Sequence, residues 1–262
     1  MINLSNNQMS NLIELKNSFI LDFPITDTQI TNISIKECNE PLINLEDFKI
    51  PRLQHFSLLY KDIPKTEESS KVRKGLANRL IDMLAFLPDN IGILYFEGYR
   101  SLTKQKEYFI KKYLEIRKEG LSCIESYDKT SIYVSPFINN IPPHCTGGAI
   151  DITLFKIVDF TILDLGKFGT IFGPNDQSST LCSNLTNEQI NNRLMLLNSA
   201  KKAGLVNYGY EWWHFSYGDK VHSYTKGYEY AIYDIIDSNS NQFLSKEDFI
   251  NYMECNYMEC NY

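Results

Sequence analysis

Residues 142–155 read PPHCTGGAIDITLF, a loop-like segment that runs directly into a short strand pattern rich in β-branched residues. The glycine pair Gly147-Gly148 allows a sharp turn, so His144 can leave a loop while Asp151 lies on the strand that follows. Because side chains alternate along a strand, we expect the Asp151 carboxylate on the face opposite to Ile150 and Ile152. The stretch therefore predicts a strand that begins with an imidazole and a carboxylate close together.

A second segment, residues 210–215 with the sequence YEWWHF, begins about sixty residues after Asp151 and adds His214 and Glu211. A lone histidine beside glycines is more often a loop residue than a ligand, but the chain has only four histidines, and these two have acidic partners nearby. Catalytic zinc keeps three protein ligands and one position for water, and imidazole with carboxylate suits this cation. His144, Asp151 and His214 meet that requirement, which leaves Glu211 to accept a proton from the activated water. The pattern predicts a zinc hydrolase.

A third segment, residues 96–100 with the sequence FEGYR, ends an apolar run and precedes a helical pattern that begins at Ser101. The three segments, in this order, resemble the D-Ala-D-Ala dipeptidases, the VanX-like branch of the zinc D-peptidase (M15) family. The resemblance also covers residues 72–88 and 187–219, whereas the first seventy residues match only loosely.

The resemblance implies a role for each of five residues: zinc binding for His144, Asp151 and His214, acid and base catalysis for Glu211, and contact with the substrate carbonyl for Arg100. One Zn²⁺ per chain and a small dipeptide substrate follow from it. A guanidinium suits the developing oxyanion because it stays charged throughout the reaction.

Two positions depart from the family pattern. Pro142 stands where the best-studied branch has a small hydroxyl residue that helps to hold the dipeptide. Cys145 follows the first ligand, and we interpret it as a small semi-buried filler rather than as a competing ligand. Both tryptophans lie beside Glu211, and at least one of them is expected to close a core.

The leading hypothesis is hydrolysis of D-alanyl-D-alanine, or a similar D,D-dipeptide, with Glu211 as general base and acid. One alternative is a peptidoglycan endopeptidase or carboxypeptidase that acts on longer muropeptides. An alternative of another class is a non-catalytic zinc-binding module, but such a module needs neither Glu211 nor Arg100. The biological role and the oligomeric state remain open.

Composition limits the possible partners of the 262-residue chain. A hydrophobic content of 43% with 22% charged residues is typical of a soluble globular protein. The net charge of -6 argues against nucleic acid as a partner, and no segment approaches the ~20 apolar residues of a membrane span. The start lacks a basic and then apolar leader, which predicts a cytoplasmic protein, with export by a leaderless route left open. The six cysteines show no paired spacing and are interpreted as thiols.

Periodicity predicts an α+β fold, in which helices pack on a small, mostly antiparallel sheet with the zinc site at one face. Predicted helices cover residues 72–87, 104–118 and 187–203. Predicted strands cover residues 92–96, 149–155 and 211–217, and a loop near the site covers residues 178–187.

We expect residues 1–234 to form the zinc D,D-dipeptidase domain and residues 235–262 to form a C-terminal appendage. Residues 237–248 resemble an EF-hand calcium loop but lack the required glycine at Gln242 and have Asp248 in place of the bidentate glutamate, so a polar turn before a capped helix is favoured. Beyond it, the sequence NYMEC is repeated in tandem from Asn251 and is assigned no function.

Overall fold

The computed structural model describes Leu15 and residues 19–59, 65–167, 177–237 and 245–257. Its central sheet has six strands in the spatial order β1 (Ile20–Leu21), β8 (Val206–Tyr208), β9 (His214–Ser216), β7 (Ala149–Lys156), β6 (Ile91–Glu97) and β4 (Leu53–His55). The inner pairings β8 with β9, β9 with β7 and β7 with β6 are antiparallel, whereas β1 with β8 and β4 with β6 are parallel. The predicted α+β class with a mostly antiparallel sheet is therefore confirmed.

Two small sheets and several helices surround this sheet in the described residues. The small sheets pair β2 (Ser34–Ile35) with β10 (Tyr230–Ala231) and β3 (Leu42–Asn44) with β5 (Lys71–Arg73). The helices are α1 (Thr28–Thr31), α2 (Lys74–Ala85), α3 (Leu102–Arg117), α4 (Cys123–Tyr133), α5 (Asn187–Lys202), α6 (Lys220–Lys226) and α7 (Lys246–Tyr257).

Two predicted boundaries are wrong, each because tertiary contacts override the local pattern. The helix expected from Val72 begins at Lys74, since Val72 and Arg73 pair with β3. The strand expected from Glu211 begins at His214, whose backbone N–H closes a turn on the Glu211 carbonyl. Strand β7 is buried on both faces from residue 149 to 155, and the Asp151 carboxylate meets two imidazoles instead of solvent.

The main hydrophobic core lies between the central sheet and helices α2 and α5, and includes Leu76 and Leu80 of α2, Leu197 of α5 and Ile152 of β7. Their helical and strand spacing places these side chains on the faces that meet. Both tryptophans are buried in this core, as expected for at least one of them.

A second core joins helices α3, α4 and α7 beside the loop that carries His144. Phe249 of α7 is fully buried there, and its ring centroid lies 5.7 Å from that of Phe109 and 5.6 Å from that of Tyr127. Residues 246–257 thus share a core with α3 and α4. The domain boundary at residue 234 stays a prediction, and residues 238–244 of the calcium-like loop lie outside the described residues.

Replacing Phe249 with alanine is expected to lower the free energy of unfolding by about 3–4 kcal/mol, because it removes a fully buried ring and leaves a cavity. Urea denaturation measures the change. Asn251→Ala is the matched control, because Asn251 is exposed on the same helix and should change stability by less than about 0.5 kcal/mol. Equal midpoints for the two variants would show that α7 does not stabilise the domain.

No helix among the described residues combines the length and the apolar character that crossing a membrane requires. The five cysteines in that part of the chain are free thiols, as predicted, while Cys260 lies outside it.

Candidate active site and metal centre

Three candidate ligand atoms converge in a buried cluster. His144 Nε2 lies 3.2 Å from His214 Nδ1 and 3.4 Å from Asp151 Oδ1, and His214 Nδ1 lies 3.1 Å from that same oxygen. Each residue is at most 6% exposed. The three side chains predicted from separate segments therefore meet at one point.

Strand pairing explains how Asp151 and His214 meet. They are direct partners across β7 and β9, where antiparallel neighbours bring their side chains together on one face. His144 comes from a different element, a single 3₁₀ turn, Pro143–Thr146. Gly147 ends this turn with φ +69°, and a Cβ on Gly148 would lie 2.7 Å from the Tyr217 carbonyl oxygen, so both glycines are required as predicted.

The spacing of the three atoms fits a metal ion. The His144 Nδ1–H donates to the Gly98 carbonyl at 2.8 Å, so in the neutral ring a bare lone pair on Nε2 faces the cluster. In the His214 tautomer that leaves Nδ1 without a proton, all three atoms are acceptors, which repel one another unless a cation lies between them. Zinc–ligand bonds of about 2.0–2.1 Å in a tetrahedron place ligand atoms about 3.3 Å apart, close to the observed spacing.

Electrostatics around the cluster also favour a cation. Burial raises the pKa of Asp151, but the imidazoles of His144 and His214 outweigh it and hold this pKa well below the usual range. Burial lowers the pKa of His144, but the Asp151 carboxylate outweighs it and raises this pKa. Asp151 is thus held as a carboxylate, the one acidic donor beside two imidazoles.

Glu211 lies on the turn before β9. Its carboxylate is next to the three candidate ligand atoms but farther from them than they are from one another. Its Oε2 is 3.9 Å from His214 Nδ1, and its side chain keeps 23% of its surface exposed. Burial raises the pKa of Glu211 to about 7, although the nearby His214 lowers it. Trp213 lines the same cleft and is itself only 2% exposed, which gives the predicted dry wall.

Arg100 follows β6 and reaches the same cleft, with its backbone N–H donating to the His144 carbonyl at 3.1 Å. Its guanidinium forms a two-pronged ion pair with Glu97, in which Nε donates to Oε1 at 2.7 Å and Nη2 donates to Oε2. Its Nη1 donates to Gln105 Oε1 at 2.7 Å. Glu97 and Gln105 were not identified from the sequence, although Glu97 lies within the FEGYR segment itself.

The cleft is narrow, with a cavity volume of about 80 Å³. Its floor carries the three candidate ligands, Glu211 and Arg100, and its walls come from α3, from residues 131–135 at the end of α4, and from Pro142. Pro142 therefore lines the cleft without offering a hydroxyl. Cys145 is fully buried in the second core, and burial raises the pKa of its thiol to about 12, in line with a filler role.

The other two histidines lie elsewhere and are buried as neutral rings. His222 Nε2 donates to the Gly204 carbonyl at 3.1 Å, while its Nδ1 is buried without a hydrogen-bond partner among the described residues. Burial lowers the pKa of His222 to about 4, and burial likewise lowers the pKa of His55 to about 4. Protonation would place an unpaired N–H in the interior at His222.

We expect the protein to lose stability as the pH falls from 6.5 to 4, because unfolded histidine binds a proton in this range and the buried rings do not. For His222 the shift from 6.5 to about 4 corresponds to about 3 kcal/mol at most. His222→Gln, which keeps a donor for Gly204, should lose less stability than the wild type over this range in urea titrations. Parallel pH profiles for the two proteins would contradict the assignment.

Comparisons with known proteins agree with these observations. Residues 125–236 match a peptidase M15 family described as D-ala-D-ala dipeptidase. A D-alanyl-D-alanine dipeptidase of Synechocystis sp. (strain ATCC 27184 / PCC 6803 / Kazusa) is 30% identical over 223 residues, which cover 72% of this chain and 86% of that protein.

Solved structures with similar folds include the LdcB LD-carboxypeptidase, at 17% identity and a TM-score of 0.42, covering 88% of this chain and 95% of that one. The vancomycin resistance D,D-pentapeptidase VanY, a mutant in complex with Zn(II), has 16% identity and a TM-score of 0.38, covering 64% of this chain and 85% of that one. VanYB in complex with D-alanine-D-alanine has 16% identity and a TM-score of 0.39, covering 64% and 84%. All three TM-scores lie below 0.5, so the sequence matches alone carry weight.

Proposed function

Because the chain belongs to the D-Ala-D-Ala dipeptidase family of M15 peptidases, we propose that it hydrolyses free D-alanyl-D-alanine, or a similar D,D-dipeptide, with one zinc ion per chain. The proposal is carried by one observation. His144, Asp151 and His214 present three ligand atoms within 3.4 Å of one another at the floor of a cleft that Glu211 and Arg100 also line.

The donor set supports zinc. Two imidazoles and one carboxylate leave a fourth tetrahedral position open, which is the usual arrangement of catalytic zinc. All three ligands are buried, and His144 is oriented through Gly98 as metal-bound histidines commonly are. A zinc ion bound there would polarise the scissile carbonyl and lower the pKa of water.

Glu211 is positioned to move the proton. Its carboxylate borders the ligands without belonging to their tight group, and burial holds its pKa near neutrality. In the proposed mechanism it accepts the proton of the water that attacks the peptide carbonyl carbon. When the C–N bond breaks, it donates this proton to the leaving amine, so that the carboxylate is regenerated.

Arg100 is positioned to stabilise the charge that develops on the carbonyl oxygen. Its guanidinium is only 11% exposed, and water competes weakly for its N–H groups. A preorganised donor in such a site stabilises the transition state more than the ground state. The small cleft supports a free dipeptide rather than a longer muropeptide as the substrate.

The test combines zinc analysis with three substrates: D-Ala-D-Ala, L-Ala-L-Ala and a pentapeptide that ends in D-Ala-D-Ala. We expect one zinc per chain, rapid hydrolysis of the free D,D-dipeptide, and little hydrolysis of the other two. Loss of activity with a chelator and recovery with zinc is the control. Preference for the pentapeptide would favour the carboxypeptidase alternative, and a stoichiometric zinc without hydrolysis of any substrate would favour the binding module.

A further inference from the structure

The guanidinium of Arg100 is held on two of its sides by buried side chains. Glu97, 8% exposed, accepts from Nε and Nη2, and Gln105, 1% exposed, accepts from Nη1. An arginine has five N–H groups. Among the described residues these are its three side-chain hydrogen bonds, so one N–H on each terminal nitrogen is left for a ligand.

Gln105 also connects the arginine to the wall of the cleft. Because its Oε1 accepts from Arg100, its Nε2 is free to donate, and it does so to the Ser135 carbonyl at 2.6 Å. Ser135 lies among residues 131–135 that line the cleft. One amide therefore links the guanidinium to the wall against which a substrate would lie.

We propose that Glu97 and Gln105 are positioning residues of the hydrolytic reaction, which hold the Arg100 guanidinium in one plane with two N–H groups free for the reacting carbonyl. This inference rests on the proposed function. Neither Glu97 nor Gln105 is a proposed zinc ligand, the proton acceptor or the group that contacts the oxyanion, so each acts through Arg100.

The charge of Glu97 allows a positioning role to be distinguished from a purely electrostatic one, because the two roles predict opposite changes in kcat for Glu97→Gln. A carboxylate beside Arg100 weakens the positive field at the reacting carbonyl, so removing this charge alone would stabilise an oxyanion further and raise kcat. Loss of orientation has the opposite effect. In Glu97→Gln, the amide NH₂ would face an N–H donor of Arg100, and the two-pronged contact would break.

The experiment measures kcat and KM for D-Ala-D-Ala in the zinc-loaded wild type and in Glu97→Gln, Glu97→Asp and Gln105→Met. We expect kcat to fall about 10–100-fold in Glu97→Gln and about 10-fold in Gln105→Met, with KM changed by less than about threefold, since misplacement of a catalytic group by about 1 Å has costs of this order. Glu97→Asp, which keeps the charge, should retain part of the kcat that Glu97→Gln loses.

Two further measurements separate positioning from stability. In the ¹H–¹⁵N spectrum, the Arg100 Nε–H is expected as a slowly exchanging signal in the metal-free wild type, identified by its absence in Arg100→Lys, and is expected to be lost in Glu97→Gln. The control Glu40→Gln alters a carboxylate that does not line the cleft and that accepts from Tyr233 at 2.5 Å and from the Gly75 N–H at 2.7 Å. It should lower stability and leave kcat unchanged.

The outcomes divide clearly. A fall in kcat in Glu97→Gln and Gln105→Met, with zinc retained, supports the proposal, and if Glu97→Gln does not fold, Gln105→Met decides. Wild-type or higher kcat in the folded variants, or an Nε–H signal that persists in Glu97→Gln, overturns it. An inactive wild type would remove the proposed function and this inference together, whereas an active wild type with unchanged variants would remove the inference alone.

Discussion

Glu211→Gln is expected to retain zinc and to lower kcat for D-Ala-D-Ala by about a thousandfold, within the range of about 10²–10⁴ typical of a general acid–base group. Glutamine keeps the size of the side chain but cannot accept and return a proton. The Glu211 carboxylate lies 3.9 Å from His214 Nδ1, while the three ligand atoms lie within 3.4 Å of one another. The metal should therefore stay bound when the proton acceptor is lost.

The measurement pairs turnover at saturating substrate with zinc content on the same sample. Glu188→Gln makes the same chemical change at an exposed position in the first turn of α5 and should alter neither quantity. Undiminished turnover in Glu211→Gln would remove Glu211 from the mechanism, and loss of zinc would instead make it a ligand.

The candidate ligands could be predicted from the sequence because histidine is scarce in this chain and each candidate lies next to glycines, acids or tryptophans. The strand at 149–155 could also be predicted, since its β-branched residues agree with its buried environment in β7. The structure brings His144, Asp151 and His214 together as that interpretation requires, and their assignment to zinc stays a prediction.

Glu97 and Gln105 lie three and five residues from Arg100, but the directions of their side chains depend on contacts with residues far along the chain, so their roles could not be predicted. Glu97 faces Asp151 only through the register of β6 with β7, which shifts between Tyr95 and Glu97. Gln105 has the pattern of a polar helix residue, but α3 buries it against Arg100 and Ser135. The turn at Glu211 was mistaken for a strand because the tryptophans that follow favour strands, whereas here they enter the core from a turn.

Asp151→Asn is expected to remove most of the stabilisation that zinc gives the protein. Asp151 is the anionic donor among the three, it is 3% exposed, and the neutral amide offers no charge to offset the buried cation. We expect zinc affinity to fall by more than the 10–100-fold that loss of an outer-shell partner typically costs. Zinc at a thousandfold excess over its dissociation constant would stabilise the wild type by about 4 kcal/mol, and most of this increment should disappear in Asp151→Asn.

The difference between unfolding free energies with and without zinc isolates this effect, because any change that the substitution causes in the metal-free fold cancels. Asp164→Asn is the matched control: Asp164 is exposed and accepts hydrogen bonds from Gly166 and Gln189, so its loss should lower stability equally with and without zinc. A full zinc increment in Asp151→Asn would show that the ion binds elsewhere. The strand register that pairs Asp151 with His214 would then have no catalytic meaning, and the proposed mechanism would fail with it.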